Sequence, residues 1–253
     1  MPESTSPAEP SRRELKRQQT VEEIKTRARR QLVEDGPGGL SLRAVARDMR
    51  MSSAAIYRYF ANQPELVGAL CVDAYNALAD SLEAARDAHA ADGPTRQWWA
   101  IGQAIRDWSL RSGADFALIF GTPVTGYHAP ESVTGPAAAR SILIALGTYS
   151  AALDSGAADL DRCILPEKIE GGELGTYLLA AAHLDPTDEA ATTRLAGMAA
   201  AALNAWASIL GFLISEQFGN LPRLIANTDD LYAAHLRTIM IGLGFPPEAV
   251  AQL

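Results

Sequence analysis

Polar side chains suited to contacting a nucleic acid are concentrated in the twenty residues from Ser41 to Phe60. The hydroxyl of Ser53 and the guanidinium of Arg58 can form hydrogen bonds with base edges or with phosphates. Two small neighbours, Ala54 and Ala55, would let the start of a helix approach the major groove closely. The chemistry that this pattern supports is noncovalent recognition of a polyanion.

Two short helices separated by a tight turn, a helix-turn-helix, would position these side chains. Ser41 can cap the first helix. The inward face of that helix would consist of apolar residues three and four positions apart: Leu42, Val45, Ala46 and Met49. Ser52 or Ser53 can cap the second helix, which would bury Ile56 and Phe60. Its outward side chains would be Ser53, Ala54, Ala55, Tyr57, Arg58 and Tyr59.

A longer helix from roughly Arg17 to Glu34 would precede this pair and complete a three-helix unit. One face of that helix carries spaced apolar residues: Val21, Ile24, Ala28 and Leu32. The sequence Gly36-Pro37-Gly38-Gly39 would stop it. We expect a basic arm just before the helix, made of Arg12, Arg13, Lys16 and Arg17.

Charge is distributed unevenly along the chain. The whole chain carries −8 with a pI near 5.0, which taken alone argues against a nucleic-acid binder. Between Arg12 and Phe60, however, 12 Lys and Arg stand against 6 Asp and Glu, a balance of +6. Such charges can simply be the solvated faces of ordinary helices, but here they coincide with the helix-turn-helix pattern. The coincidence favours polyanion binding by this end of the chain.

Residues Thr20 to Leu70 resemble the DNA-binding domain of the TetR/AcrR family of transcriptional regulators. The resemblance rests on Ile56-Tyr57-Arg58-Tyr59-Phe60 and on Asn62-Gln63-Pro64-Glu65-Leu66. It implies an all-α protein with an N-terminal three-helix helix-turn-helix domain and a larger helical ligand-binding and dimerisation domain. It also implies a set of residues near DNA bases, with two more near phosphates: Arg43, Ser53, Ala54, Ala55, Tyr57 and Arg58, then Ser41 and Tyr59.

Two positions depart from the family's pattern. The family usually has Gly in the turn where this chain has Arg50, and a left-handed backbone there would cost a non-glycine residue roughly 1 kcal/mol. The family favours Lys, as a phosphate contact, at the position of Gln63. Losing one phosphate partner flattens the salt dependence of binding by about one unit of log–log slope. We therefore expect weaker DNA binding than the family pattern alone would give.

Length and composition set the remaining organisation. With 253 residues, 48% of them hydrophobic, the chain can bury a sizeable core, and its alanine runs favour helices. We expect a disordered leader over residues 1–11, the helix-turn-helix domain over 12–64 and a helical effector-binding and dimerisation domain over 65–253. Cys71 and Cys163 share no metal-ligand spacing, which predicts reduced thiols in a cytoplasmic protein.

The segment from Leu195 to Ser215 has no charged residue and is long enough to cross a membrane. Seven alanines and the polar Asn204 and Ser208 make it only moderately apolar, so a helix buried on nearly all sides is the preferred interpretation. A second apolar helix is predicted from about 229 to 243. In TetR-like proteins the last two long helices pair with their symmetry mates in a four-helix bundle. The resemblance therefore implies a homodimer, with packing inside one subunit as the alternative.

Aromatic residues are concentrated in the middle of the chain. A helix from roughly 95 to 112 would carry them on one stripe, with two more on the next short helix: Trp98, Ile101, Ile105 and Trp108, then Phe116 and Phe120. A loop is expected over Gly121–Pro136. Together with Trp206 and Gly211, this region resembles the C-terminal domain called WHG in TetR-like regulators, although Leu210 stands where that domain has its His.

The aromatic stripe and the long loop together predict a pocket for a small hydrophobic or aromatic effector. Its candidate residues are Trp98, Gln103, Trp108, Phe116, Phe120, Tyr127, His128 and Tyr177. For each aromatic residue the alternative is an ordinary core position, since aromatic side chains at helical spacing usually pack inside.

Enzyme chemistry has no recognisable pattern in this sequence. The four histidines are scattered, and neither HExxH, a phosphate-binding Gly-rich motif nor Gly-x-Ser-x-Gly occurs. We expect no catalytic residue, no metal and no cofactor. The expected function is a repressor that leaves a palindromic DNA operator when an effector binds, with a second copy as partner and no membrane. The alternatives are an activator of the same architecture, and a small-molecule-binding protein or enzyme that has lost DNA binding.

Overall fold

The computed structural model of the protein describes residues 11–121, 130–163, 188–219, 221 and 223–253. No β-strand occurs in these residues, so the predicted all-α class is confirmed for them. The helices are α1 Arg12–Asp35, α2 Leu42–Asp48, α3 Ser53–Ile56, α4 Gln63–Ala88, α5 Pro94–Arg111, α6 Gly113–Phe120, α7 Glu131–Asp154, α8 Glu189–Gln217, α9 Thr228–Gly242 and α10 Pro247–Val250. Short 3₁₀ turns lie at Pro37–Gly39 and Leu160–Arg162.

Helix α1 begins earlier than the sequence pattern suggests. The Ser11 hydroxyl caps it by accepting a hydrogen bond from the Glu14 backbone N–H at 3.2 Å. No Gly or Pro interrupts residues 12–35, so the helix runs unbroken to Gly36. The predicted basic arm is therefore helical, and the last residue of the predicted leader is a helix cap. The remainder of that leader, residues 1–10, lies outside the described residues.

A first hydrophobic core joins α1, α2 and α3 to the start of α4. It contains Ile24, Ala28, Leu32, Leu40, Leu42, Val45, Ala46, Ile56, Phe60, Leu66, Val67, Leu70 and Cys71. The inward faces that the spacing predicts are confirmed, because Ile56 is fully buried and Met49 packs partly buried against the same core. Removal of this apolar surface from water is what holds the two short helices in place.

Helix α4 belongs to both parts of the molecule. Asn62 caps it by accepting the Glu65 N–H at 2.9 Å, while the Glu65 carboxylate accepts the Ala61 N–H at 2.6 Å. The helix is about 39 Å long at about 1.5 Å per residue. Its later residues Leu78 and Leu82 lie in a second core. Helix α4 therefore contributes side chains to both cores and connects them through one continuous helix.

The second core is built on α5 and surrounded by α4, α6, α7, α8 and α9. Its predicted aromatic and aliphatic stripe on α5 is buried, as is the first aromatic residue of α6: Trp98, Ile101, Ile105, Trp108 and Phe116. The Tyr149 hydroxyl donates to the Leu243 carbonyl at 2.8 Å, and the Tyr232 hydroxyl donates to the Gly102 carbonyl. These hydrogen bonds satisfy the polar ends of two fully buried tyrosines.

The predicted loop over 121–136 is wrong for its last part. Residues 131–136 form the first turns of α7, with Pro130 at the cap and Pro136 inside the helix. Pro136 removes one backbone hydrogen bond without ending the helix, since Ala137 and Ile144 hold the same helix by burial. Residues 122–129 lie outside the described residues.

Helix α8 contains the long uncharged segment, but it is not buried on nearly all sides as the sequence suggested. Over Ala191–Gln217 it has the length and apolar composition of a membrane-crossing helix, and 33% of its most apolar window is buried within the chain. One helix of this kind is weak evidence for a membrane span. Its exposed residues instead include a row along one face, Leu203, Ala207 and Gly211, which the exposed Phe218 continues just after the helix.

Candidate nucleic-acid interface

The turn between α2 and α3 is closed by two backbone hydrogen bonds. The Met51 N–H donates to the Ala46 carbonyl at 2.8 Å, and the Arg50 N–H donates to the Arg47 carbonyl at 3.0 Å. This pairing is a Schellman motif, whose left-handed position is usually glycine. Arg50 occupies that position with φ of 55° and is the non-glycine residue with positive φ among the described residues. The turn therefore keeps its family geometry despite the substitution.

Helix α3 presents the polar surface that the sequence predicts. Ser52 caps it by accepting the Ala55 N–H at 3.2 Å. Only residues 53–56 are α-helical, and the next three continue as a turn in which the Tyr59 N–H donates to the Ile56 carbonyl at 2.9 Å. The predicted outward residues divide into an exposed group, Ser53, Ala54, Tyr57 and Arg58, and a half-buried pair, Ala55 and Tyr59.

The start of α2 is held by a polar residue that the sequence reading overlooked. The buried Gln31 side chain accepts the Ser41 N–H at 3.2 Å, and the Ser41 hydroxyl accepts the Ala44 N–H at 3.5 Å. Arg43 next to it is exposed. Gln31 follows Ile24 and Ala28 on the inward face of α1, so a polar residue in an apolar row was the signal for its role.

Basic side chains of α1 line a groove beside α3. This groove has a volume of about 700 Å³ and lies between the first turns of α1 and the residues that follow Met51. Its lining is Ser11, Arg13, Glu14, Lys16, Arg17, Thr20, Met51, Ala55, Arg58 and Tyr59. Positive and hydroxyl-bearing side chains thus outnumber the single carboxylate, Glu14, in this groove beside α3, which suits an anionic ligand.

Ion pairs attach the interface to the rest of the molecule. Asp73 of α4 accepts hydrogen bonds from Lys25 at 3.0 Å and from Arg29 at 2.7 Å, both on α1. Arg29 also lies 3.5 Å from the Asp115 carboxylate of α6. Burial raises the pKa of Asp115, and the adjacent Arg29 guanidinium opposes that rise. A movement of α6 would therefore change the ion pair between Asp115 and Arg29, and with it the contact between α6 and α1.

The predicted effector residues do not form a single wall. Trp98 and Trp108 are ten residues apart on α5, or about 15 Å, and Trp98 packs against Phe245 with ring centroids 6.2 Å apart. Phe116 and the half-buried Phe120 lie together at 5.3 Å, with Tyr75 6.1 Å from Phe120. Gln103 is half-buried on α5. The other three candidates, Tyr127, His128 and Tyr177, lie outside the described residues.

A charged cluster around the buried pair Arg106 and Glu216, with the exposed Asp229 at its edge, was not foreseen. Arg106 of α5 donates to both Glu216 oxygens of α8, at 2.9 and 2.7 Å, and to Asp229 of α9 at 2.6 Å. The hydrogen bonds to Glu216 raise the pKa of the Arg106 guanidinium above its usual range, against the opposing effect of burial. Its guanidinium also lies over the Tyr232 ring at 5.2 Å. The cluster fixes the mutual placement of three helices.

The described residues contain no group of three or more His, Cys, Asp or Glu side chains that could hold a metal ion. His89 contacts Asp92 at 2.7 Å, and His235 contacts the Ser208 carbonyl at 3.2 Å. Each of these imidazoles has a local partner, as is typical of histidines with a structural role.

Two family models match the chain. The model described as "Bacterial regulatory proteins, tetR family" matches residues 24–70, which contain α2, α3 and the turn between them. The model described as "Tetracyclin repressor-like, C-terminal domain" matches residues 98–239, more than half of the chain.

Two curated relatives are named as transcriptional regulators of the helix-turn-helix type. The HTH-type transcriptional regulators Rv1816 of Mycobacterium tuberculosis and Mb1846 of Mycobacterium bovis are each 40% identical to this chain over 151 residues. The matched region covers 60% of this chain and 64% of each relative, slightly less than two thirds of their length.

Solved structures support the fold. The crystal structure of the regulatory protein SCO4313 has a TM-score of 0.68 and 29% identity, over 92% of this chain and 99% of that one. A tetR-family regulatory protein from Rhodococcus RHA1 has a TM-score of 0.59 at 14% identity, over 89% of this chain and 97% of that one, which shows the fold alone. With the family matches over both regions, the chain belongs to the TetR family of bacterial regulatory proteins.

Proposed function

We propose that this protein is a homodimeric, cytoplasmic transcriptional repressor that a small hydrophobic or aromatic effector releases from a palindromic operator. The observation that carries the proposal is the polar surface of α3, where Ser53, Tyr57 and Arg58 are exposed above a packed three-helix core. A rigid core that leaves such a face free allows a helix to enter the major groove. The intact turn at Arg50 favours this function over the alternative in which DNA binding is lost.

The roles proposed for the interface follow from chemistry and exposure. Arg43 and Arg58 can each form paired hydrogen bonds with guanine or contact phosphates. Tyr57 and Ser53 offer hydroxyls at the same surface, while the small Ala54 and Ala55 permit close approach. Ser41 and Tyr59, at the edges of the surface, are assigned to phosphates.

Dimerisation would use the faces of α8 and α9 that the single chain leaves uncovered. These faces include Leu203, Ala207 and Gly211 on α8, with Phe218 directly after its last residue, and Ala234, Thr238 and Ile241 on α9. Within each set, successive residues are three, four or seven positions apart, which places them on one face of a helix. The side chains of both faces are small or apolar. Pairing with a second copy would place two recognition helices on successive major-groove turns, about 34 Å apart.

Effector binding is proposed to act through α6. Tyr75 of α4 donates to the Ile119 carbonyl of α6 at 3.4 Å, and Asp115 of α6 lies beside Arg29 of α1. An effector packed against Phe116 and neighbouring residues would therefore shift contacts that α1 and α4 share with α6. A 100-fold loss of operator affinity needs about 2.7 kcal/mol of coupling between the two sites.

DNA selection tests the function. The purified protein is incubated with sheared DNA from its own source, and the retained DNA is sequenced. We expect enrichment of a palindrome by the wild type and by Arg111→Ala, which removes an exposed arginine of α5. The double variant Arg43→Ala, Tyr57→Ala should enrich nothing. Absence of enrichment by the wild type at low salt would contradict the proposal.

The direction of regulation needs a separate measurement. A reporter gene is placed behind the enriched palindrome, and its expression is compared with and without the protein. A repressor lowers expression, and an activator of the same architecture raises it. We expect lower expression and no catalytic turnover of the effector.

A further inference from the structure

The first turns of α1 form a projecting segment that internal packing does not explain. Every residue from Ser11 to Gln19 is exposed, and the first buried residue of the helix is Ile24. The family match also begins at residue 24, so residues 12–23 precede the region that the family model matches. At about 1.5 Å per residue, they extend the helix by about 18 Å. Contacts within the described part of the chain therefore do not account for this extension.

The charge of this segment indicates the class of that contact. Four basic residues and one acidic residue, Glu14, occupy positions 12–19. Within the part of the chain that the structure describes, no ion pair involves Arg12, Arg13, Lys16 or Arg17. Further along α1, by contrast, Lys25 and Arg29 are engaged by Asp73.

The spacing of these charges is unfavourable in the free protein. Arg12 and Lys16 are four residues apart, as are Arg13 and Arg17, and like charges at that spacing destabilise a helix by about 0.2–0.5 kcal/mol per pair. A bound polyanion would turn this repulsion into attraction. DNA carries about one negative charge per 1.7 Å of helix axis, a density that matches a row of exposed cations.

The position of the segment indicates which part of a DNA duplex it would contact. Arg13, Lys16 and Arg17 line the groove of about 700 Å³ whose opposite side contains Arg58 and Tyr59. If α3 entered a major groove, this groove beside α3 would face the adjoining sugar–phosphate backbone. Long basic side chains there would meet phosphate oxygens before they met base edges.

We propose that Arg13, Lys16 and Arg17 bind the DNA backbone beside the major groove that α3 occupies. The proposal rests on the DNA-binding function proposed above and adds to it a second binding surface, which precedes the region that the family model matches. This surface supplies affinity without sequence preference. It also compensates for Gln63, whose neutral side chain cannot attract a phosphate as a lysine at that position would.

The test measures the salt dependence of binding to two duplexes of equal length, the enriched palindrome and a mixed sequence. The variant is Arg13→Ala, Lys16→Ala, Arg17→Ala, which keeps good helix formers in α1. Its control, Arg111→Ala, Arg162→Ala, Arg223→Ala, removes three exposed positive charges from the other domain. Circular dichroism verifies that both variants keep the helix content of the wild type.

Six phosphate contacts per dimer predict a specific change. The log–log slope of affinity against salt should fall by about 5 on both duplexes. The affinity ratio of wild type to variant should then be about 1,000-fold larger at 50 mM salt than at 200 mM salt. Arg13→Lys, Arg17→Lys should keep the wild-type slope, since lysine also contacts phosphates. The charge control should keep it as well.

Three other results would overturn the proposal. A wild-type slope for the triple alanine variant would reject the second surface and leave the DNA-binding function intact. A changed preference between palindrome and mixed duplex would mean that these residues read bases. If the wild type bound neither duplex at low salt, both the surface and the proposed function would fail.

Discussion

Arg50 has a left-handed backbone conformation, which glycine adopts readily and other residues rarely do. Its φ of 55° is imposed by the Schellman hydrogen bonds on both sides of it, from Met51 to Ala46 and from Arg50 to Arg47. A side chain bearing a Cβ in this conformation is strained, whereas glycine is not. The strain lies in the turn that sets the angle between α2 and the recognition helix.

Replacing Arg50 with Gly should therefore stabilise the protein by up to about 1 kcal/mol, because relief of strain exceeds the added freedom of the unfolded chain. Thermal unfolding followed by circular dichroism should show a rise of about 2–4 °C. Arg47→Gly is the matched control inside α2 and should lose about 1 kcal/mol. A melting temperature equal to or below that of the wild type would disprove the strained turn.

Cys71 should make stability depend on pH in the alkaline range. Burial, together with the nearby Asp115 charge, raises the pKa of this thiol from 9.0 to about 11. Between these values the unfolded chain releases the thiol proton and the folded chain keeps it, so the free energy of unfolding falls as pH rises. Urea unfolding from pH 8 to 11 should show a steeper decline for the wild type than for Cys71→Ala. Parallel declines would contradict a buried, protonated thiol.

At the scale of elements, the packing of α5 against α9 depends on a single residue type. A Cβ at Gly102 would lie 2.5 Å from Leu236 Cδ1 and 3.1 Å from its Cγ. Leu236 is fully buried in the second core. The carbonyl of Gly102 also accepts the hydrogen bond from Tyr232, so separation of the helices would break two contacts.

Gly102→Ala should consequently destabilise the protein by about 1–3 kcal/mol through overpacking. Gly147→Ala is the matched control in α7, where a Cβ would meet no atom within 4 Å, and it should stabilise by up to about 1 kcal/mol. Urea unfolding of both variants measures the two effects. Equal stability of the two variants would show that α5 and α9 are not tightly packed at Gly102.

At the scale of the whole molecule, the exposed faces of α8 and α9 predict the oligomeric state. Leu203 and Ile241 are 40% and 39% exposed in the single chain, although both are large and apolar. Leu203→Arg, Ile241→Arg should convert the dimer into a monomer in sedimentation velocity and weaken operator binding by losing the second half-site.

Val133→Arg provides the control for this experiment. Val133 is 49% exposed on α7 and belongs to neither face, so the variant gains charge without changing a residue of the proposed interface. It should remain dimeric and bind the operator as the wild type does. A dimer that survives in the α8 and α9 double variant would place the interface elsewhere.

Local patterns in the sequence were enough to predict the helix-turn-helix. Caps at Ser41 and Ser52 and apolar spacing ending at Ile56 and Phe60 depend on residues within a few positions of one another. Short-range hydrogen bonds and helical periodicity involve residues that are close in the sequence, so they can be predicted from the sequence alone. The polar face of α3 and the aromatic stripe of α5 were predictable for the same reason.

Contacts between distant residues were decided only by the tertiary structure. Arg106 meets Glu216 across 110 positions, and the bond from Gln31 to Ser41 depends on how α1 crosses the start of α2. The α1 groove and the uncovered face of α8 likewise depend on which helix sides the packing leaves free. Sequence periodicity determines that a face is apolar or charged, whereas only the arrangement of helices determines what that face meets.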